Sequence, residues 1–217
     1  MKVCELYRSL QGEGSTSGEP TIFVRVQGCN LRCSYCDTTY AQQPTPQNEM
    51  PVDLIVREIK AMEHSNSTKL VEITGGEPMI FADEIITLAG RLSYLGFRTL
   101  VETNGSLPLD GYMSSRVTYV MDYKLPSSNM EDRMVPSNLN LLRPRDELKF
   151  VVGNINDFNR AMEIIDEYEP KCKILFSPIW DMMHFKELAE LILNSGINAR
   201  LSIQIHKLIW NRDKRGV

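Results

Sequence analysis

The chain has 217 residues, 42% of them apolar, enough to bury a sizeable core in one domain over residues 1–217. Its 24 lysines and arginines face 28 aspartates and glutamates, and the net charge of −4 argues against a nucleic-acid partner. No apolar run nears the roughly 20 residues that cross a bilayer, the opening Met1-Lys2-Val3-Cys4-Glu5 turns polar too early for a secretory leader, and five cysteines, an odd number, fit a reducing cytoplasmic compartment.

Leu10-Gln11-Gly12-Glu13-Gly14 comes first in chain order, a turn whose glycines let the backbone wrap closely round a flat ligand. The Gln11 amide donates and accepts, whereas the Glu13 carboxylate only accepts; a plain surface turn is the alternative. Thr21–Val26 reads as a strand, apolar except for Arg25. A guanidinium there needs a partner, either a ligand carboxylate gripped by two N–H groups or an internal salt bridge. Cys29, Cys33 and Cys36 follow in Gly28-Cys29-Asn30-Leu31-Arg32-Cys33-Ser34-Tyr35-Cys36-Asp37. Structural zinc takes its thiolates in two pairs, but three thiolates on one short loop suit a cubane iron–sulfur cluster with one iron open to a ligand. A zinc site completed by His64, His184 or His206 is the alternative. Cys4 and Cys172 lie far away and read as small buried apolar residues.

Val52, Ile55, Ile59 and Met62 keep helical period behind Pro51. Leu70–Ile73 reads as the next strand, ending in Thr74-Gly75-Gly76-Glu77-Pro78. Paired glycines there allow close backbone approach to an amino-acid-like ligand, and Glu77 would support its ammonium group. A helix with Ile85, Leu88, Leu92 and Leu95 ends at Gly96. Strand Arg98–Glu102 leads to Thr103-Asn104-Gly105, and a weaker helix is expected over Leu109–Ser115. Strand Val117–Met121 leads to Asp122-Tyr123-Lys124. After strand Glu147–Val152 comes a helix with Phe158, Ala161, Ile165 and Tyr168. Strand Lys173–Phe176 leads to Ser177-Pro178-Ile179-Trp180, then a helix with Phe185, Leu188 and Ile192 ends near Gly196. Arg200–Gln204 is the last strand.

Short apolar strands alternating with amphipathic helices predict an α/β fold with a parallel sheet. About six βα units are too few for a closed eight-fold barrel, so a partial, open (βα)6-type barrel or wound sheet is expected. In such folds chemistry gathers at the carboxyl ends of the strands, where these polar motifs fall.

The cysteine loop, with an aromatic before its last cysteine and Gly-Gly-Glu-Pro one βα unit later, resembles the radical S-adenosylmethionine superfamily, a trimmed core in this case. The resemblance implies a [4Fe-4S] cluster on Cys29, Cys33 and Cys36, and S-adenosylmethionine chelated at the fourth iron. It places the backbone beside Tyr35 at the adenine and Gly76 at the methionine amine. Leu10–Gly14, Phe23-Val24-Arg25, Cys36-Asp37-Thr38, Glu102-Thr103-Asn104-Gly105 and Leu201-Ser202-Ile203-Gln204-Ile205-His206-Lys207 together look like the 7-carboxy-7-deazaguanine synthase family. That family contracts 6-carboxy-5,6,7,8-tetrahydropterin with loss of ammonia, in the queuosine and deazapurine pathway.

By this resemblance Thr38 supplies a hydroxyl to Mg2+. Tyr35, Asp37, Gly76, Glu77, Asp122, Tyr123, Lys124, Ser177, Pro178, Ile179 and Trp180 meet the cofactor. Leu10, Gln11, Gly12, Glu13, Arg25, Thr74 and the carboxylate of Val217 meet the pterin, the C-terminal tail closing over the site. Asp122 and Tyr123 depart from the usual Ser-Pro of the family, and Ser177 from its Gln. A homodimer and an external one-electron donor such as a flavodoxin are also implied. A glycyl-radical activase and a non-catalytic iron–sulfur or zinc module are the competing readings.

Overall fold

Most strands place apolar residues on the outward face and gather charged or polar ones among the inward positions, and that bias builds the site. The computed structural model describes residues 1–64, 68–212 and 214–217. Its eight strands run in sequence order across one sheet: β1 (Val3–Leu10), β2 (Pro20–Val26), β3 (Leu70–Gly75), β4 (Arg98–Thr103), β5 (Val117–Tyr123), β6 (Glu147–Val152), β7 (Lys173–Pro178) and β8 (Ala199–Leu201). β1 pairs antiparallel with β2, and the other six neighbouring pairs are parallel. β1 and β8 are the two edges, so the barrel is open, as expected.

The helices are α1 (Val52–Met62), α2 (Ala82–Tyr94), α3 (Ile155–Tyr168), α4 (Phe185–Ser195) and the single turn α5 (His206–Ile209). The first four cross between parallel strands and carry the expected stripes, with Ile55, Ile59, Ile85, Leu88, Leu92, Phe158, Ala161 and Leu188 all buried. In α3 Ile164, rather than the expected Ile165, joins Phe158 and Ala161 in the buried stripe. Gly96 and Gly196 take φ of 82° and 70° at the helix ends, the left-handed stop their positions suggested. Outward strand residues such as Val24, Ile73, Val101, Met121, Leu148 and Phe176 pack with these stripes into the core.

Four differences from the sequence expectation have local causes. β1 was not foreseen, because half-buried Glu5 and exposed Arg8 sit in an edge strand whose apolar signal is diluted. No helix forms over residues 109–115: the Leu109 N–H donates to the Asn138 side chain at 2.9 Å, and Asn138 also donates to the carbonyls of Gly105 and Leu107. The last strand stops at Leu201, since the chain turns to donate from the Ile205 N–H to the Gly12 carbonyl at 3.0 Å. Tyr123 shares the outward parity of Tyr119 and Met121 and packs on Phe150 at 6.1 Å, so its ring belongs to the core and not to a cofactor.

Candidate active site

Phe23 and Arg25 on β2, Glu72 and Thr74 on β3, Leu100 and Glu102 on β4, Val120 and Asp122 on β5, Glu147, Lys149 and Val151 on β6, and Ser177 on β7 all face inward. They line one cavity of about 1110 Å³. A concave face this polar cannot be core, and it opens towards the carboxyl ends of the parallel strands. The cysteine loop stands at that mouth.

Cys29, Cys33 and Cys36 are free thiols, half-buried, and all three line the cavity. Buried Leu31 anchors their loop, and backbone bonds from Gly28 to Ala41 (2.7 Å), Cys29 to Gln42 (3.1 Å) and Ser34 to Ser128 (3.1 Å) hold it. Burial pushes the Cys29 and Cys33 thiols up, with Lys124 countering it at Cys33. The Leu31 N–H and the Asn104 amide donate towards the Cys29 sulfur at 3.4 and 3.8 Å. Such donors stabilise a cluster thiolate.

The Gly75-Gly76-Glu77 turn is locked against that loop. An added Cβ at Gly75, where φ is 125°, would overlap the Val26 carbonyl, and one at Gly76 would overlap that of Gly28. Both glycines also line the cavity. Glu77 is 0% exposed and lies outside the cavity lining. Its carboxylate accepts from Met79 N (2.8 Å), Thr103 Oγ1 (2.7 Å) and Asn104 N (2.7 Å). The expected support of a ligand ammonium is therefore replaced by a brace joining β3 to β4, since its acceptors point into the protein.

A charged network forms the floor. Lys149 bonds Glu13 at 3.1 Å and also Glu102, and it stands 3.8 Å from Asp122. Glu102 accepts from Thr74 at 3.0 Å, and Asp122 from Lys124 at 2.8 Å. Gln204 donates to the other Glu13 oxygen at 2.7 Å. Burial and the neighbouring Glu102 and Glu13 push Glu72 well up, towards its protonated form. Burial acts on Glu102 too, but Lys149 outweighs it and holds Glu102 ionised. Both lysines are raised despite burial because carboxylates surround them.

Gln11 is spoken for at both ends: its amide nitrogen donates to Glu72, and its oxygen accepts from the Glu13 N–H at 3.1 Å. Arg25 makes the internal salt bridge that was one of its two readings, from Nε to Glu5 at 2.7 Å, and donates from Nη2 to Tyr7 at 3.0 Å. Nη1 takes part in neither, and Arg25 lines the cavity. Thr38 donates to Asp37 at 2.9 Å. The Asp37 side chain is more than half exposed; Lys207 at 2.6 Å and the Thr38 hydroxyl outweigh its desolvation and bring it down to about 2. Tyr35 Oη, Asp122 Oδ1 and Trp180 Nε1 are buried on cavity-lining residues with no partner among the described residues. Unpaired atoms of this kind fit a pocket whose polar ligand completes them.

A profile of the radical SAM superfamily matches residues 23–121. The 7-carboxy-7-deazaguanine synthase of Clostridium acetobutylicum is 38% identical, over 100% of this chain and 99% of its own. That of Leptospira interrogans is 41% identical over 99% and 97%. The chain belongs to the 7-carboxy-7-deazaguanine synthase family. A crystal structure of QueE from Escherichia coli has the same fold, with a TM-score of 0.78 at 24% identity over 94% of this chain and 93% of that one. A structure of TYW1 with a lysine-pyruvate adduct is more distant, at 0.59 and 15% over 82% and 74%. Membership sets aside the activase and the binding module.

Of the expected residues, Leu10, Gln11, Gly12, Glu13, Arg25, the three cysteines, Tyr35, Asp37, Thr38, Thr74, Gly76, Asp122, Lys124, Ser177, Pro178, Ile179, Trp180 and Val217 meet round this one cavity. Glu77 and Tyr123 do not. Sequence reasoning missed Glu72, Lys149, the inward role of Glu102, and Gln204. The signal was there: a charge at an inward alternate position between apolar strand residues, as in Leu70-Val71-Glu72-Ile73 and Leu148-Lys149-Phe150.

Proposed function

We propose that this chain is a radical S-adenosylmethionine lyase that converts 6-carboxy-5,6,7,8-tetrahydropterin to 7-carboxy-7-deazaguanine with loss of ammonia. The observation that carries the reading is the meeting of three free thiols and a floor of buried charge in one cavity of a family member. Cys29, Cys33 and Cys36 would hold a [4Fe-4S] cluster, which with S-adenosylmethionine supplies one-electron cleavage of the sulfonium and so a hydrogen-abstracting radical.

The protein's part is to bind, orient and exclude water. Gly76 leaves its backbone open to the methionine end of the cofactor, and Asp122 offers its unpartnered oxygen to a cation there. Glu13, oriented by its bonds from Lys149 and Gln204, accepts from ring N–H groups of the pterin. Arg25 turns Nη1 to the substrate carboxylate, its other nitrogens fixed by Glu5 and Tyr7. Leu10, Gly12, Thr74 and the Val217 carboxylate complete the pterin contacts. Burial and the neighbouring Glu102 and Glu13 favour the protonated form of Glu72, which limits negative charge under the ring.

Mg2+ would sit at the Thr38 hydroxyl, with the ionised Asp37 beside it as a source of negative charge. The enzyme works in the cytoplasm as a homodimer, receives electrons one at a time from a donor such as a flavodoxin, and binds neither nucleic acid nor membrane. The test is anaerobic incubation with reductant, S-adenosylmethionine and the pterin, followed by mass analysis. Appearance of 7-carboxy-7-deazaguanine with release of ammonia is expected, and its absence from cluster-loaded protein would overturn the reading.

A further inference from the structure

The Lys149 ammonium is in contact with both halves of the cavity. Its side chain is 6% exposed, and its three carboxylate neighbours come from separate places: Glu13 after β1, Glu102 near the end of β4 and Asp122 near the end of β5. Glu13 lies with Gln11 and Gln204 on the substrate side. Asp122 lies with Lys124, whose ammonium stands 5.6 Å from the Tyr35 ring, on the cofactor side.

Glu13, Glu102 and Asp122 share two lysines, Lys149 and Lys124, so negative charge in the floor is left over. The structure shows where it is felt: Asp122 Oδ1 is buried without a partner among the described residues. A cation bound beside Asp122 satisfies that oxygen and relaxes its pull on Lys149. The ammonium is then free to pair fully with Glu13 and Glu102, which fixes Glu13 in its accepting position.

We propose that Lys149 is a positioning residue that couples the two subsites, so that a sulfonium ligand beside Asp122 tightens binding of the pterin at Glu13. The proposal rests on the functional reading above for the identity of the two ligands. Coupling of this kind is reciprocal, because the free energy linking the sites belongs to neither ligand alone.

The test is calorimetric titration of the anaerobic, cluster-loaded, unreduced enzyme with the pterin, with and without saturating S-adenosylmethionine. In the native protein the cofactor should tighten pterin binding by about 5-fold or more, and the pterin should tighten cofactor binding by the same factor. Lys149→Met should bring that factor to about one, and Lys149→Arg should retain most of it. Asp122→Asn, which cuts the cofactor-side arm and leaves Lys149 in place, should also reduce it. Variants that bind both ligands with the native factor overturn the proposal, as does a native enzyme that binds both without coupling. A native protein that makes product but shows no coupling removes only this inference, whereas one that binds no pterin removes the functional reading with it.

Discussion

Glu72 occupies an inward position of β3, where burial and two neighbouring carboxylates favour its protonated form. The sign of its effect on stability follows. Below pH 4.5, its ordinary value, both native and unfolded chains carry the proton, and the acid contributes its full stabilisation. As the pH rises past that value the unfolded chain ionises first, so native stability is lost until Glu72 itself ionises. Glu72→Gln removes this dependence. In urea unfolding, the stability of the variant relative to the native chain should grow with pH above 4.5 and then level off; a gap that does not change with pH contradicts the assignment.

Residue type indicated that Arg25 and Glu77 need partners but not which ones. A buried guanidinium and a buried carboxylate are satisfied equally well by ligand or by protein. Glu5, Tyr7, Thr103 and the Asn104 N–H are remote in sequence from the groups they satisfy, so only the folded chain shows them.

Adjacent positions of β6 carry opposite duties. Leu148 faces the helices, fully buried, and Lys149 faces the cavity. Leu148→Ala should cost about 2–5 kcal/mol in chemical denaturation, the range for emptying a packed site, and leave pterin affinity unchanged. A variant of native stability would place the strand in the wrong register. Gly76→Ala tests the junction between β3 and the cysteine loop. Its Cβ meets the Gly28 carbonyl, which is backbone and cannot rotate away. Expected are a loss of about 1–3 kcal/mol and a reduced iron content after anaerobic reconstitution; full iron loading would show that the loop does not depend on this contact.

The amphipathic helices were legible because their stripes and glycine stops are local signals. β1 and residues 109–115 were not, since a sheet edge and the Asn138 side chain decide them from a distance. Charged inward positions were visible in the strands, but only the sheet reveals that they converge.

Across the open side of the barrel, the turn after β1 meets the C-terminal segment: Gly14 N donates to Ser202 at 3.1 Å, Ile205 N to Gly12 at 3.0 Å, and Gln204 to Glu13. The His206 ring fills the space where Gly12 lacks a Cβ. Beyond it Arg212 lies 4.2 Å from the centre of the Trp180 ring and Arg215 lies 3.7 Å from that of Tyr40, which brings Val217 to the cavity. Deleting residues 214–217 should raise the KM for the pterin roughly tenfold, about 1.4 kcal/mol for one charge-assisted contact, with iron content unchanged. An unchanged KM would free the tail from any part in substrate binding.

The most direct measurement is electron paramagnetic resonance of the reconstituted, dithionite-reduced protein before and after addition of S-adenosylmethionine. A cubane held by Cys29, Cys33 and Cys36 alone has an iron free to take the cofactor, so its signal should appear on reduction and shift on addition. Serine at any of the three positions should abolish both. A protein that takes up no cluster, or whose signal is indifferent to the cofactor, would contradict the account.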